Sequence, residues 1–100
     1  MNKRLRAKWI KALRSGDYKQ TRGYLFVSKN KSEAREEPPG FCCLGVLRRI
    51  SQGKVKTLPR RDLLTPESCG ISLDTQKYLA AMNDGGHNFN SIADFIEALL

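Results

Sequence analysis

The segment Phe41-Cys42-Cys43-Leu44-Gly45-Val46-Leu47 is the most hydrophobic stretch of the chain, and it constrains the fold more than any other. A run of this kind has to be buried, since each large apolar side chain taken out of water contributes about 1.5–3 kcal/mol. Cys43, Leu47 and Ile50 share helical spacing, as do Leu44 and Leu47, so the segment reads as a buried central helix. Gly53 is placed to end it, and Arg48 and Arg49 at its tail are expected to point outward. A chain of 100 residues has no room for two independent cores, so residues 1–100 are expected to form one domain around this helix.

The elements that would cover it can be read on either side. Asn2 is a helix cap, and Leu5, Trp9, Ala12 and Leu13 make one apolar stripe over residues 3–14, with Gly16 to stop the helix. Residues 17–23 read as a polar turn. Tyr24-Leu25-Phe26-Val27 reads as a strand, with a return strand near Phe41 and a mobile loop expected at 28–40, closed by Pro38-Pro39-Gly40. Residues 54–58 suit a short edge strand, and Thr65-Pro66 a short helix. A helix opened by Ser72 or Asp74 would face inward with Thr75, Leu79 and Met82, and Asn83-Asp84-Gly85-Gly86 would break it. The last helix is expected to begin near Ser91, which has capping-box spacing to Asp94, and to bury Ile92, Phe95, Ile96 and Leu99. The fold class expected is therefore α+β: an N-terminal helix, a short antiparallel sheet, a buried central helix and a C-terminal helical pair.

Charge is distributed unevenly along this plan. Residues 1–61 hold 17 basic and 4 acidic residues, whereas residues 62–100 hold one basic residue, Lys77, and 6 acidic ones. With a net charge of +8, the chain suits an anionic partner. Lys3, Arg4, Lys8 and Lys11 lie on the outer face of the first helix, and Lys19, Arg22, Arg48, Arg49, Lys54, Lys56, Arg60 and Arg61 would extend the patch if the fold gathers them. Such contacts give salt-dependent affinity for phosphates without sequence specificity. Residues 66–82 do not make a convincing helix-turn-helix, so binding to a nucleic-acid backbone, or docking to a protein, is favoured over base reading.

Other chemistries fit less well. Cys42, Cys43, Cys69 and His87 supply four zinc-type ligands, but structural zinc sites use ligand pairs two to four residues apart, and adjacent helical cysteines diverge by about 100°. Their expected role is core packing, as small hydrophobes. A calcium loop starting at Asn83 would put Gly85 and His87 where oxygen ligands are needed, so residues 83–95 read as a plain helical hairpin. A cysteine enzyme using Cys42 or Cys43 with His87 is the least favoured class, because the thiols sit in an apolar run. No phosphate-binding or dinucleotide motif is present, and neither catalysis nor a cofactor is expected. The three cysteines are not a secreted disulfide framework, no apolar run follows the basic start, and nothing approaches a membrane span. An intracellular protein with reduced thiols and no membrane partner is expected.

Three blocks carry a family resemblance: residues 9–25 (WIKALRSGDYKQTRGYL), 41–47 (FCCLGVL) and 79–99 (LAAMNDGGHNFNSIADFIEAL). Together they resemble a group of small bacteriophage and prophage proteins with a Trp-x-x-Ala-Leu-Arg-Ser-Gly-x-Tyr-x-Gln opening, a Cys-Cys-Leu-Gly-Val centre and an Asn-Asp-x-Gly…Ile-Ala-x-x-Ile-Glu ending. Where relatives often continue the central block with a further cysteine and an acidic residue, this chain has Arg48-Arg49, and its 28–39 excursion is longer. The resemblance implies a phage context, in the cytoplasm of an infected or lysogenic bacterial cell, and supplies no mechanism. Small phage accessory proteins often act by stoichiometric binding. The expected partner is nucleic acid or a host nucleoprotein complex such as a bacterial defence effector. The alternative is inhibition of a host or defence protein through an apolar or acidic face.

Overall fold

The apolar stripe of the N-terminal segment winds into α1, Lys3–Arg14, with Asn2 as its cap: the Asn2 side chain accepts hydrogen bonds from the backbone N–H groups of Arg4 and Leu5. The structure is a computed structural model that describes residues 1–22, 24–27, 40–52, 58–59 and 69–100, with side chains described for all but residues 24–27, 52 and 58–59. Helix α1 stops where Gly16 takes φ +79°, a left-handed conformation that suits the residue after a helix C-cap. Trp9 and Leu13 are buried, while Leu5 and Ala12 pack half-buried against the same core.

The chain then turns back against β2, Gly40–Phe41, so the expected polar turn is partly interior: Thr21 is buried and Tyr18 meets Phe41 edge to face. Phe41 N–H donates to Lys19 O at 2.7 Å, and Thr21 N–H donates to Phe41 O at 2.8 Å. Gly40 is required here, because its φ is +154° and a Cβ would collide with the Lys19 carbonyl oxygen. The backbone of β1, Tyr24–Val27, pairs antiparallel with β2, Phe26 opposite Phe41, and with β3, Leu58–Pro59.

Helix α2, Cys43–Gln52, is the centre of the molecule, and residues 42–47 are buried without interruption. Arg49 is exposed, as its position past the apolar run predicts. Arg48 is not: it is half-buried, and its Nε is shielded from solvent with no hydrogen-bond partner among the described residues. A helix packed on every side leaves no outward face until its last turn, and Arg48 falls on the boundary.

Two further helices close the core: α3, Leu73–Asp84, capped by Ser72, and α4, Phe89–Leu99. The cap of α4 is Asn88, whose side chain accepts from Ser91 N–H at 2.8 Å, so the helix begins two residues before the expected Ser91. The earlier start brings in Phe89, and the inward face becomes Phe89, Ile92, Ala93 and Ile96. Phe95 is left at the rim, and Leu99, expected inside, is 65% exposed. In α3 the buried positions are Gln76, Leu79, Ala80 and Asn83, with the expected Thr75 and Met82 only half-buried.

The α+β expectation with a short antiparallel sheet is corrected by this architecture: the fold is mainly helical. Among the described residues, helices of 12, 10, 12 and 11 residues carry the core, against strands of 4, 2 and 2 residues. Two-residue strands have no length over which to bury alternate side chains, so their pairing is not a layer for helices to pack on. Apart from Gly40, the expected loop at 28–40 lies outside the described residues, as does the helix expected at Thr65-Pro66. Among the described residues, no helix is long and apolar enough to cross a membrane.

Candidate nucleic-acid interface

The cations of α1 divide into two groups according to what they face. At 100° per residue, Lys3, Arg14, Ala7, Lys11, Arg4 and Lys8 follow one another around an arc of about 140°, and the core-facing stripe lies opposite. At one edge of this arc, Arg14 Nη2 donates to Asp94 Oδ1 at 2.7 Å and to Glu97 Oε2 at 2.9 Å, and Arg6 Nη2 donates to the Glu97 carbonyl oxygen at 2.7 Å. The hydrogen bond to Asp94, then that to Glu97, raises the Arg14 pKa above its ordinary value. The Arg6 contact satisfies a carbonyl in the last turn of α4, where a cation also meets the negative end of the helix dipole.

Lys3, Arg4, Lys8 and Lys11 have no such engagement. All four are exposed, and among the described residues none forms an ion pair. Arg4 and Lys8 share a groove with Asn2, Leu5, Ile50 and Ser51, whose far wall is the last turn of α2. That turn also bears the exposed Arg49, but at about 100° per residue Arg49 points about 150° away from the Ile50–Ser51 wall, so it does not line this groove with Arg4 and Lys8. Lys19 and Arg22 are exposed on the segment after α1. Arg48 is half-buried, with its Nε shielded from solvent, and Lys54, Lys56, Arg60 and Arg61 lie outside the described residues.

The first turn of α1 contains no acidic residue, and Lys3 and Arg4 occupy it instead. Cations there oppose the positive end of the helix dipole, a placement that costs the helix stability and that a bound anion would relieve. The arrangement is suited to meeting phosphate. From Lys3 to Lys11 the arc runs about 12 Å along the axis, at 1.5 Å per residue.

The residues that sequence reasoning missed are structural supports of this surface. Asn83 is wholly buried, yet its Oδ1 accepts from Gln20 Nε2 at 2.8 Å and from Cys43 N–H at 3.3 Å, while its Nδ2 donates to Thr21 O at 2.8 Å. One side chain thus ties α3 to the start of α2 and to the segment after α1. The signal in the sequence was the spacing of Gln76, Leu79, Ala80 and Asn83, a helical stripe with a polar residue at each end. Trp9 Nε1–H donates to Cys43 O at 2.8 Å, fixing α1 on α2. Cys42, Cys43 and Cys69 are all buried, and the Cys43 thiol lies 3.6 Å from Leu79 O, which places the thiols in the packing. His87 is exposed, and its carbonyl accepts from Gln20 Nε2 at 2.7 Å. Among the described residues, no three of His, Cys, Asp and Glu gather into a group able to hold a metal ion.

Residues 1–58 match the family model described as a domain of unknown function (DUF8296). The chain belongs to this family. No curated protein and no solved structure matches it. The DUF8296 segment contains α1, β1, β2 and α2, and hence every described residue of the candidate interface. Helices α3 and α4 fall outside the matched segment, although Asn83, Asp94 and Glu97 supply partners to groups within it.

Proposed function

We propose that this chain is a phage-encoded accessory protein that works by stoichiometric binding to nucleic acid, or to the nucleic-acid part of a nucleoprotein complex such as a bacterial defence effector. It acts without catalysis, in the cytoplasm of an infected or lysogenic cell. The observation that carries this reading is the outer arc of α1: Lys3, Arg4, Lys8 and Lys11 stand exposed and form no ion pair among the described residues, and two of them oppose the helix dipole. The phage context rests on the three sequence blocks at 9–25, 41–47 and 79–99. The arc offers Lys and Arg, the side chains that contact phosphates without sequence information.

A gel-shift titration with random-sequence DNA and RNA at low and moderate salt tests the reading. About four phosphate contacts predict a log–log salt slope near −3 to −4 on duplex DNA, with little dependence on sequence. Arg4→Glu with Lys8→Glu should abolish the shift at moderate salt. Failure to retard either nucleic acid at low salt would overturn direct binding.

A further inference from the structure

By position, Arg14 belongs to the cationic arc of α1. It lies between Lys3 and Lys11 around the helix and, at 1.5 Å per residue, about 4.5 Å beyond Lys11 along the axis. Its surroundings cancel that position. Arg14 Nη2 is held by Asp94 Oδ1 at 2.7 Å and by Glu97 Oε2 at 2.9 Å, and the two carboxylate side chains are 70% and 62% exposed against 37% for Arg14. Arg6, the other guanidinium at this edge, is taken by the Glu97 carbonyl oxygen at 2.7 Å.

Two guanidiniums therefore meet two carboxylates at the negative end of the α4 dipole, and no positive excess remains there. The arc changes character within one groove, because Lys11, Arg14 and Glu97 together line a space of about 590 Å³ between α1 and α4. A phosphate moving along it from Lys11 toward Arg14 meets the Glu97 carboxylate, which is more exposed than the guanidinium it holds. Helix α4 lies beyond the family match at residues 1–58, so the limit is imposed on the DUF8296 segment from outside it.

We propose that Asp94 and Glu97 form an acidic stop that ends the nucleic-acid track of α1 at Lys11. They occupy Arg14 in place of a phosphate and repel the next phosphate of a strand lying on Lys3, Arg4, Lys8 and Lys11. They are positioning residues that act through Arg14, and the contact is autoinhibitory, since it withholds one cation from the footprint. The stop presupposes nucleic-acid binding by α1.

Retention of random-sequence duplex DNA by the full chain across a salt series tests it. Asp94→Ala with Glu97→Ala should steepen the log–log slope by about 0.9, one further phosphate contact, and raise affinity by up to about tenfold near 0.1 M salt. Asp94→Asn with Glu97→Gln, which keeps the side-chain shapes, should move the slope in the same direction. Asp74→Ala with Asp84→Ala removes as many charges from α3 and should leave the slope as it is. Arg14→Ala should not alter the slope of the natural chain, but it should cancel the gain when added to the α4 variant. The stop is overturned, and nucleic-acid binding stands, if the α4 variants keep the natural slope, if the α3 variant matches their gain, or if that gain survives Arg14→Ala. Should only the α4 variants retain DNA, the stop is upheld and binding by the natural chain is overturned. If neither chain retains DNA, both fall.

Discussion

Two seams join the first part of the chain to the rest, and apart from the 3.3 Å contact of Cys43 N–H with Asn83 their hydrogen bonds are of nearly the same length. In the inner seam, Trp9 donates to the Cys43 carbonyl at 2.8 Å and Asn83 serves Gln20, Thr21 and Cys43. In the outer seam, Arg14 and Arg6 reach Asp94 and Glu97 on α4 at 2.7–2.9 Å. Length does not separate them; water does. A buried donor or acceptor that loses its partner has no solvent to replace it, whereas exposed ions are compensated by water and screened by salt. The inner seam therefore stabilises the fold. The outer seam mainly decides which cations of α1 are engaged and which are left to face solvent.

The largest effect expected on stability is from Asn83→Leu. It leaves the Cys43 N–H and the Thr21 carbonyl without this partner, and should cost about 2–4 kcal/mol in urea denaturation. Trp9→Phe removes one donor and part of a buried ring, and should cost about 2 kcal/mol by the same measurement. Arg14→Ala should shift the denaturation midpoint by less than either, and about 1 M salt should erase the shift, because the ion pair it breaks is exposed. If Arg14→Ala matched Asn83→Leu, the contrast between the seams would fail. The smallest change has the opposite sign. Lys3→Glu places an acid at the positive end of the α1 dipole and should raise stability by about 0.3–1 kcal/mol at low salt while weakening nucleic-acid retention. That pairing of gain and loss would sharpen the division, since Lys3 would then be kept at a cost to the helix it begins.

What could be read beforehand depended on whether the signal was local. Helix α1 was legible because its cap, apolar stripe and stopping glycine all lie within residues 2–16. Helix α2 was legible because an uninterrupted apolar run dictates burial whatever surrounds it. The inward face of α3 was not, since Gln76 and Asn83 are polar and become interior residues only when distant backbone groups arrive to pair with them. The start of α4 was misjudged because Asn88 and Ser91 are both competent caps, and the packing of Phe89 favours the earlier one. The candidate interface was half legible. The sequence identifies six bases on one helical arc or its margin, but only the position of α4 separates Arg6 and Arg14 from Lys3, Arg4, Lys8 and Lys11. The sheet was overestimated because short β-prone segments carry no information about how many residues will pair.

Trp9 is the single tryptophan of the chain, it is wholly inaccessible to solvent, and its indole N–H is already committed to Cys43 O. The protein therefore carries a built-in optical reporter at the junction of α1 and α2. Its emission should be blue-shifted in the native state, resistant to quenching by iodide or acrylamide, and red-shifted only when the core opens. The basic arc of α1 does not include it. A ligand that settles on that arc should leave the emission maximum in place, and one that pries the helices apart should move it, so occupancy and unfolding can be told apart in one cuvette.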